Sequence, residues 1–479
     1  MLDIQYIQQH ATLLQDIATK KHIQLSIDEL LHTYQARNQL MQQMEQLRQQ
    51  RNQLTRQIGA QMKQQQTAAK TSSHNHPAER PQTPIVYAND DREQSAKASG
   101  TLPTAHQHAY AHAPADAEQM RLLAKHINAQ LQQLEPQAER IQQQYDTLMN
   151  LVPNIVAPDT PDGQCDADNV VLKQYGTVPE FPFPLKDHVE LGELHGLFDT
   201  ARGVKVSGSR QYYLTGNGVL LHRAVQQLAF DLLLGKGYTP LEVPMLVRGA
   251  ALQNTGFFPL GIEQTFKIEN EDHWLTGTSE VALVSYYQNE IVDLSAGAIK
   301  LAAASQSFRS EVGSAGKDVR GLYRVHQFAK VEQVIVCEAD PQQSEQIHAE
   351  ITANAEQLLQ LLELPYQVVA VCIGDMSQKT YKQYDIETWM PGRQAYGETH
   401  SSSNLHDFQA RRANIRYRAA DGKLRYCHTL NNTAVASPRI LIPLLENHQQ
   451  ADGSVYIPVA LRPYLNGMEK LEMGVADCD

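Results

Sequence analysis

The chain of 479 residues has few cysteines and no long hydrophobic run. Its five cysteines show no CxxC spacing and are widely separated, at Cys165, Cys337, Cys372, Cys427 and Cys478. Such a set favours neither a disulfide framework nor a structural zinc site, and it fits a reducing compartment. The first residues, MLDIQYIQQH, lack the cationic and apolar regions of a signal peptide, and no apolar run approaches the ~18 residues of a membrane span. We therefore expect a soluble, unexported, cytoplasmic protein.

Two nucleotide-binding signatures are also missing. No GxGxxG opens a strand–helix–strand unit. The P-loop pattern GxxxxGK[ST] fails because Glu311 and Asp318 stand where Gly and Ser or Thr are required. These absences disfavour a doubly wound fold. The mixed strand and helix patterns that follow residue 169 instead predict an α+β domain.

Positive charge is in deficit, with 41 Lys and Arg against 53 Asp and Glu and a formal net charge of −12. This balance argues against a protein that coats nucleic acid over its whole surface. One segment, residues 37–70, departs from it, because six basic residues there face the single acid Glu45. We expect this segment to contact phosphates, chiefly through Arg37, Arg48, Arg51 and Arg56. For each of these residues, a position on a solvated helix face with no bound phosphate explains the charge equally well.

Heptad spacing of apolar residues marks two segments before residue 152. Steps of four, three, seven and four predict a coiled-coil helix at about 27–66, through Leu40, Met44, Leu47, Leu54 and Ile58. Steps of four and three predict an antiparallel partner at about 118–151, through Ile127, Leu131, Leu134, Ala138, Ile141, Tyr145 and Leu148. The stretch between them, about 67–117, is rich in Ala, Ser, Thr, Gln, His and Pro and predicts a flexible tip insertion.

The Pro-, Gly- and Asp-rich stretch PNIVAPDTPDGQCDADN has the composition of a linker. It divides the chain into a predicted N-terminal domain at 1–168 and a second domain at 169–479. The length of the chain agrees with two domains, since one hydrophobic core usually organises ~100 to 200 residues.

A second charged stretch, FRSEVGSAGKDVRGLYRVHQFAKVEQ, places ions on patterns typical of half-buried strands. Residues two apart in a strand share a face, so we expect Arg309 beside Glu311, and Phe328 on one face with Glu332. Burial of this hairpin is indicated by Phe308, Val312, Val331 and Ile335. Buried ions need partners, which implies a ligand. A guanidinium suits a phosphate, an aromatic ring suits a base and a carboxylate suits an ammonium, which are the parts of a nucleotide and an amino acid.

This stretch resembles motif 2 of the class II aminoacyl-tRNA synthetases, in particular of the seryl-tRNA synthetase family. Upstream, GKGYTPLEVPMLV is similar to motif 1, which builds a dimer interface in this class; downstream, HTLNNTAVASPRILIPLLENHQ is similar to motif 3. YGETHSSSN matches the family's YxExxSxSN, and GTSE at 277–280 matches its TxE. The five motifs stand in the family's order, and the resemblance covers nearly the whole chain. The heptad segments resemble the family's tRNA-binding arm.

The resemblance implies a fold and a serine pocket. The fold is a class II antiparallel-sheet catalytic domain preceded by an antiparallel α-helical coiled-coil arm. In the pocket, Thr278 and Glu280 contact the amino group of serine, with Glu332 as a further carboxylate. Arg309 bridges the serine carboxylate and the α-phosphate of ATP. The remaining implied members of this pocket are Ser279 and Thr433, where Thr433 keeps the hydroxyl of the more usual serine and adds a methyl group.

The resemblance also implies an ATP site. Glu311 and the backbone near Val325 contact adenine, Phe328 stacks on it, and Arg439 lies against the nucleotide. Glu398 and Ser401 hold Mg²⁺ between the phosphates, as suits a hard cation. The complete implied set is Arg309, Ser310, Glu311, Val325, Phe328, Glu398, Thr399, His400, Ser401 and Arg439.

The implied function is that of a serine–tRNA ligase. Serine and ATP form seryl-adenylate and pyrophosphate, and the seryl group then passes to the 3′ end of tRNA(Ser). The implied partners are L-serine, tRNA(Ser) through the arm, and a second copy of the chain through motif 1. The alternative is a paralogue that loads serine onto a carrier or serves as a resistant duplicate.

Overall fold

The computed structural model describes residues 2–72, 117–312 and 320–472. Packing of the backbone divides the chain into two compact units, one at His32–Tyr145 and the other at Met1–Leu31 with Asp146–Asp479. No helix within the described ranges has both the length and the hydrophobicity needed to cross a bilayer. Most of the tip insertion expected at 67–117 lies outside the described residues.

The helices are of very different lengths. They are α1 Ile4–Gln9, α2 Ala11–Lys20, α3 Ile27–Ser72, α4 Ala117–Leu151, α5 His188–Leu194, α6 Thr200–Ser207, α7 Gly216–Gly235, α8 Gly249–Asn254, α9 Glu280–Ser285, α10 Pro341–Leu361, α11 Phe408–Ala413 and α12 Leu441–His448.

The strands are concentrated after residue 169. They are β1 Val170–Tyr175, β2 Phe198–Asp199, β3 Tyr213–Leu214, β4 Thr239–Pro240, β5 Leu246–Val247, β6 Phe266–Lys267, β7 Trp274–Leu275, β8 Ile291–Val292, β9 Ile299–Phe308, β10 Gln327–Cys337, β11 Tyr366–Ala370, β12 Lys382–Met390, β13 Ala395–Asn404, β14 Arg416–Arg418, β15 Leu424–Tyr426, β16 His428–Ser437, β17 Val455–Tyr456 and β18 Lys470–Leu471.

The helices α3 and α4 confirm the predicted coiled coil. Met44, Ile127 and Leu131 form its buried centre, as apolar heptad positions do when two helices supercoil. Partly buried residues pack around that centre: Leu40, Leu47, Leu54, Leu134 and Ala138. The pairing is antiparallel, because Arg37 donates to Gln142 while Arg121 reaches Met62. α4 continues through Pro136.

An eight-stranded sheet organises the second unit, in the order β1-β11-β12-β13-β16-β10-β9-β4. All neighbours are antiparallel except β4 and β9, which are parallel. This sheet, together with the long helices α3 and α4, confirms the predicted α+β class with an antiparallel-dominated catalytic sheet. The central strands β16 and β10 are long and buried, so side chains that point from them are held firmly.

The two faces of β10 meet different surroundings. Val331 and Ile335 pack into the larger core, together with residues of α7, α10 and α12. Val334 packs into a smaller cluster that includes residues of α9 and α11. Because alternate residues of a strand point to opposite sides, the even-numbered residues at the start of β10 lie on the side of the smaller cluster: Phe328, Lys330 and Glu332.

Candidate active site

A pocket opens at the start of β10, and the space between its walls is about 500 Å³ with open solvent included. The pocket is lined by Arg309, Glu311, Leu322, Tyr323, Val325, Phe328, Lys330, Glu398, Thr399, Thr433, Ala436, Pro438 and Arg439. Eight of these thirteen residues are among the predicted serine and ATP contacts, although they are spread over more than 120 positions of the sequence.

The strand predicted to run through Val312 ends earlier. The last residue of β9 is Phe308, paired with Gln327 of β10. Glu311 has φ 52°, a left-handed conformation that a strand does not contain. Val312 is 53 % exposed. The predictions that Arg309 and Glu311 share a strand face and that Val312 is buried are therefore wrong, and both charged side chains reach the pocket from a turn.

Arg309 lies close to an aromatic ring and to a second arginine. Its guanidinium carbon is 5.3 Å from the ring centre of Phe328. Gly277 leaves room for it, because a Cβ at Gly277 would stand 3.3 Å from Cγ of Arg309. Burial, together with the positive charge of Arg439, lowers the pKa of Arg309. Two guanidinium groups that repel each other in one pocket form a site for an anion.

Arg439 is held by the loop that leads into β10. Its Nε donates to the carbonyl of Tyr323 at 3.0 Å, and its Nη1 donates to the carbonyl of Glu398 at 3.1 Å. Its guanidinium carbon is 4.4 Å from the Tyr323 ring centre, and that of Arg393 is 4.1 Å from the same ring. Stacking and two hydrogen bonds together fix the orientation of Arg439 before any ligand binds.

Glu332 is buried and ion-paired. Its Oε2 lies 2.7 Å from Nζ of Lys330 and accepts a hydrogen bond from Oγ1 of Thr433 at 3.4 Å. Burial raises the pKa of Glu332 and lowers the pKa of Lys330, and the ion pair opposes both shifts. The sequence analysis missed Lys330. The period of two that joins Phe328 to Glu332 passes through it and could have identified it.

Glu280 is also buried, at the start of α9. Three donors converge on its Oε1: Nζ of Lys379 at 2.5 Å, Nε2 of Gln409 at 2.7 Å and Nδ2 of Asn431 at 2.9 Å. Its backbone N–H donates to Oγ1 of Thr278 at 3.2 Å. This oxygen is thus saturated by protein donors, and the predicted contact with an amino group stays a prediction. Sequence spacing could not have found the three partners, which lie about 100 to 150 residues away.

The hydroxyl of Ser279 is buried and has no hydrogen-bond partner among the described residues. Ser310 and Nδ1 of His400, both predicted for the ATP site, have neighbouring hydrogen-bond partners, whereas Nε2 of His400 is buried with none among the described residues. Oγ of Ser310 donates to the carbonyl of Glu263 at 2.7 Å, and Nδ1 of His400 lies 2.8 Å from Oγ1 of Thr399. Burial lowers the pKa of His400 to about 3, so this imidazole is neutral at physiological pH.

Two β-bulges adjoin the pocket. Between β12 and β13 the register skips Thr399, so that Glu398 pairs with Glu387 while Ser401 pairs with Asp385. Glu387 and Asp385 are two apart and share a face, so the bulge brings Glu398 and Ser401 to one side of the sheet. In a regular strand, residues three apart point to opposite sides.

The second bulge lies in β16. The register skips Ala434, so that Thr433 pairs with Glu332 and Ala436 pairs with Lys330. The hydroxyl of Thr433 consequently faces the carboxylate of Glu332. As bulges near active sites commonly do, this one re-aims a side chain toward the pocket.

Glu398 and Ser401 offer the oxygen ligands that Mg²⁺ prefers. Beside them, Nε2 of Gln383 donates to Oδ1 of Asp385 at 3.0 Å and to Oγ of Ser401 at 3.2 Å. Burial, with a contribution from the charge of Glu398, raises the pKa of Asp385 to about 8. Within the described ranges, no three His, Cys, Asp or Glu residues form a ready metal cage. A Mg²⁺ ion held here would therefore take its other ligands from phosphates and water, and the residues present fit that arrangement.

The basic residues predicted to contact tRNA all lie on α3. Arg37 stacks 5.1 Å from the ring centre of Tyr145, in addition to its bond to Gln142. Arg56 is exposed, while Arg48 and Arg51 are partly exposed. Arg37 is thus part of the packing of the coiled coil, whereas the other three side chains are at least partly exposed to solvent.

Two family models match the chain. Residues 264–448 match the tRNA synthetase class II core domain (G, H, P, S and T), and residues 1–76 match the seryl-tRNA synthetase N-terminal domain. The serine–tRNA ligase of Thermomicrobium roseum is 38 % identical over 473 residues, which cover 98 % of this chain and 95 % of the relative. That of Deinococcus radiodurans is 48 % identical over 358 residues, 75 % of this chain and 84 % of the relative.

Solved structures agree with these sequence relatives. Seryl-tRNA synthetase from Pyrococcus horikoshii complexed with ATP superposes with a TM-score of 0.78 at 32 % identity, covering 98 % of this chain and 99 % of that one. The cytoplasmic serine–tRNA ligase of Naegleria fowleri in complex with AMP has the same fold at 23 % identity, with a TM-score of 0.73. With the motifs, the sheet and the pocket, these similarities show that the chain belongs to the seryl-tRNA synthetase family of class II aminoacyl-tRNA synthetases.

Proposed function

We propose that this serine–tRNA ligase binds serine and ATP side by side in the pocket at the start of β10. One observation carries the proposal: Arg309 and Arg439 line a single pocket together with Lys330 and Thr433, the two partners of the buried Glu332 carboxylate. The pairing matches an anionic nucleotide next to a cationic amino group. The relatives of this chain are serine–tRNA ligases, and that of Pyrococcus horikoshii binds ATP.

The serine half of the pocket lies around Glu332. Its carboxylate receives the ammonium group of serine, and Thr278, Ser279 and Glu280 are the further serine contacts. The buried, unpartnered hydroxyl of Ser279 is consistent with a ligand nearby. Thr433, which already donates to Glu332, limits the pocket to a small side chain. Lys330 pairs with Glu332 and opposes the rise in its pKa that burial causes.

The ATP half lies between the two arginines. Phe328 stacks on the adenine, Glu311 and the backbone near Val325 bind its edge, and Arg439 lies along the phosphates. Thr399 lines this half, and Ser310 and His400 complete its predicted set. Glu398 and Ser401 would hold Mg²⁺, which when bound supplies charge neutralisation to the phosphates.

Arg309 carries the first chemical step. A carboxylate oxygen of serine attacks the α-phosphorus of ATP, the bond to the bridging oxygen breaks, and pyrophosphate leaves. Arg309 lies between the two reactants and can neutralise charge that grows on the α-phosphate during this displacement. In the second step the terminal ribose hydroxyl of tRNA attacks the acyl carbon, and AMP leaves. Neither step forms a covalent bond to the protein.

The two domains bind different partners. Residues 1–168 form a tRNA-binding domain, in which Arg48, Arg51 and Arg56 meet the phosphates of tRNA(Ser) and Arg37 braces the arm. Residues 169–479 form the catalytic domain, and motif 1 joins two copies of the chain. The protein acts in the cytoplasm, where its substrates are made and used.

Aminoacylation of total tRNA tests the proposal. The purified protein is incubated with ATP, Mg²⁺ and serine, threonine or alanine, and both pyrophosphate exchange and charged tRNA are measured. Exchange and charging with serine alone are expected. Exchange without charged tRNA would instead favour the paralogue that loads a carrier, and no serine-dependent exchange would contradict both.

A further inference from the structure

One wall of the ATP pocket is held from outside by a histidine that has no role in the assignments above. The wall is residues 320–326, named here the return limb because it brings the chain back to β10. Its residues Leu322, Tyr323 and Val325 line the pocket. The histidine is His188, the first residue of α5.

The imidazole of His188 joins the return limb to α12. The backbone N–H of Leu322 donates to its Nε2 at 3.2 Å. Its Nδ1 lies 2.9 Å from Oε1 of Glu446. Since Nε2 accepts a hydrogen bond, the ring proton is on Nδ1 and is donated to Glu446. Each ring nitrogen therefore makes a different hydrogen bond, one to Leu322 and one to Glu446. A flip of the ring would lose both.

Glu446 is a rigid support for this ring. Its side chain is only 1 % exposed. Besides the imidazole, it accepts the backbone N–H of His188 at 2.9 Å and that of Gly392 at 2.8 Å. A buried carboxylate with three donors is costly to move, because any donor withdrawn leaves an uncompensated charge.

The return limb is shaped to meet the ring. Gly321 has φ 81°, and a Cβ at this position would stand 2.0 Å from Nε2 of His188. Only glycine therefore allows both the backbone turn and the close approach of the imidazole. The neighbouring pair of Arg320 with Asp187 adds a second link between the same segments. That pair is weaker, since the Arg320 side chain is 65 % exposed and the link is screened by solvent.

We propose that His188 is a positioning residue for ATP, which fixes the return limb so that Val325 and the stacked pair Tyr323–Arg439 face the nucleotide. His188 itself touches no substrate. The proposal rests on the proposed ATP site. The N-terminus of α5, far upstream in the sequence, thus keeps one wall of the ATP site in place.

Two isosteric substitutions separate the tasks of the ring nitrogens. Glutamine places an amide oxygen near the position of Nε2, so His188→Gln keeps the acceptor for Leu322. Asparagine reaches only the position of Nδ1, so His188→Asn keeps the donor to Glu446 and loses the acceptor. His195→Asn, at the other end of α5, is the matched control, because its ring nitrogens lie beside the carbonyls of Glu472 and Gly453.

Serine-dependent pyrophosphate exchange is measured for the full chain and these variants. For His188→Asn, we expect KM for ATP to rise about tenfold, the equivalent of one buried hydrogen bond, while KM for serine changes less than about twofold. His188→Gln should stay within about threefold of the unchanged chain, and His195→Asn should be unaffected.

Trypsin gives a readout that does not depend on activity. Release of the return limb in His188→Asn should speed cleavage after Arg320 and Arg324, and saturating ATP should slow it. Equal KM values for ATP in the Asn and Gln variants, or unchanged cleavage in His188→Asn, would overturn the proposal. Failure of the proposed function looks different, since the unchanged chain would then show no serine-dependent exchange. If His188→Asn does not fold, a tenfold increase in KM for ATP in His188→Gln would likewise overturn it.

Discussion

The coiled-coil arm and the catalytic sheet place their key side chains by different means. In the arm, Met44 packs against Ile127 and Leu131, and equivalent layers recur every three or four residues along α3 and α4. In the catalytic sheet, no layer repeats. Glu332 meets a threonine about 100 residues later, and Glu280 meets an asparagine about 150 residues later. A local period therefore suffices for the arm, whereas the pocket depends on strand order and register.

This difference predicts separate responses to change. An arm made of equivalent layers should tolerate loss of one layer, because its neighbours repeat the same contacts. A pocket made of single, non-repeated contacts should not, because each buried charge has a unique partner.

The largest effect is expected from Arg309→Gln. Removal of the guanidinium takes away a charge that stabilises the developing transition state, and we expect pyrophosphate exchange to fall by about 10²- to 10³-fold. Arg56→Gln on the exposed face of the arm is the matched control and should leave exchange unchanged. A loss of less than about tenfold for Arg309→Gln would mean that the reacting phosphate lies elsewhere.

Removal of the arm should separate the two steps of the reaction. The unit His32–Tyr145 can be replaced by a short Gly-containing turn, since the rings of Tyr34 and Tyr145 at its base are only 5.8 Å apart. We expect exchange to stay within about twofold and tRNA charging to fall by about 100-fold, because tRNA loses its distant phosphate contacts. Charging at the original rate would contradict a tRNA-binding role for the arm.

Glu332→Gln is expected to act on serine rather than on ATP. The change removes a negative partner from the ammonium group and from Lys330, a loss of about 1.5 to 3 kcal/mol, or about 10- to 150-fold in serine affinity. Serine and ATP titrations measure the two affinities separately. Glu350→Gln, which removes the carboxylate that pairs with Lys300, is the control. Equal weakening of serine and ATP would disprove the division of the pocket.

The last test concerns stability below neutral pH rather than activity. Burial lowers the pKa of His348 and His428 to about 4 and that of His406 to about 3. The unfolded chain binds these protons near pH 6.5, whereas the folded chain does not, so stability should fall as pH drops from about 6.5 to about 4. Melting temperatures across this range measure the slope.

A variant isolates one histidine of that group. His406 stacks between Tyr381, at 3.6 Å, and His428, at 4.4 Å between ring centres. His406→Asn should reduce the slope by about 1.4 kcal/mol per pH unit, the value for one proton. Asparagine tolerates the φ of 47° at this position. His22→Asn, at φ 57° on the surface, is a matched control and should keep the full slope.

Much of the molecule could be predicted before its structure was known, for identifiable reasons. The heptad positions predicted α3 and α4, because a coiled coil repeats one local contact. The motif residues predicted eight of the pocket's lining residues, because their spacing resembles that of a family. The error at Arg309 and Glu311 arose where a local period was extended past Phe308, the point at which pairing with β10 ends.

The sequence by itself determined the two coiled-coil helices, the α+β class, and the chemical types present in the site. The tertiary structure alone decided which of these side chains contact each other. Strict alternation would place certain side chains of β13 and β16 on opposite faces of the sheet. The bulges at Thr399 and Ala434 bring them to one face instead. Lys379 reaches Glu280, and His188 reaches the return limb, across about 100 and 130 residues of chain. Such contacts follow from register and strand order, which no local pattern records.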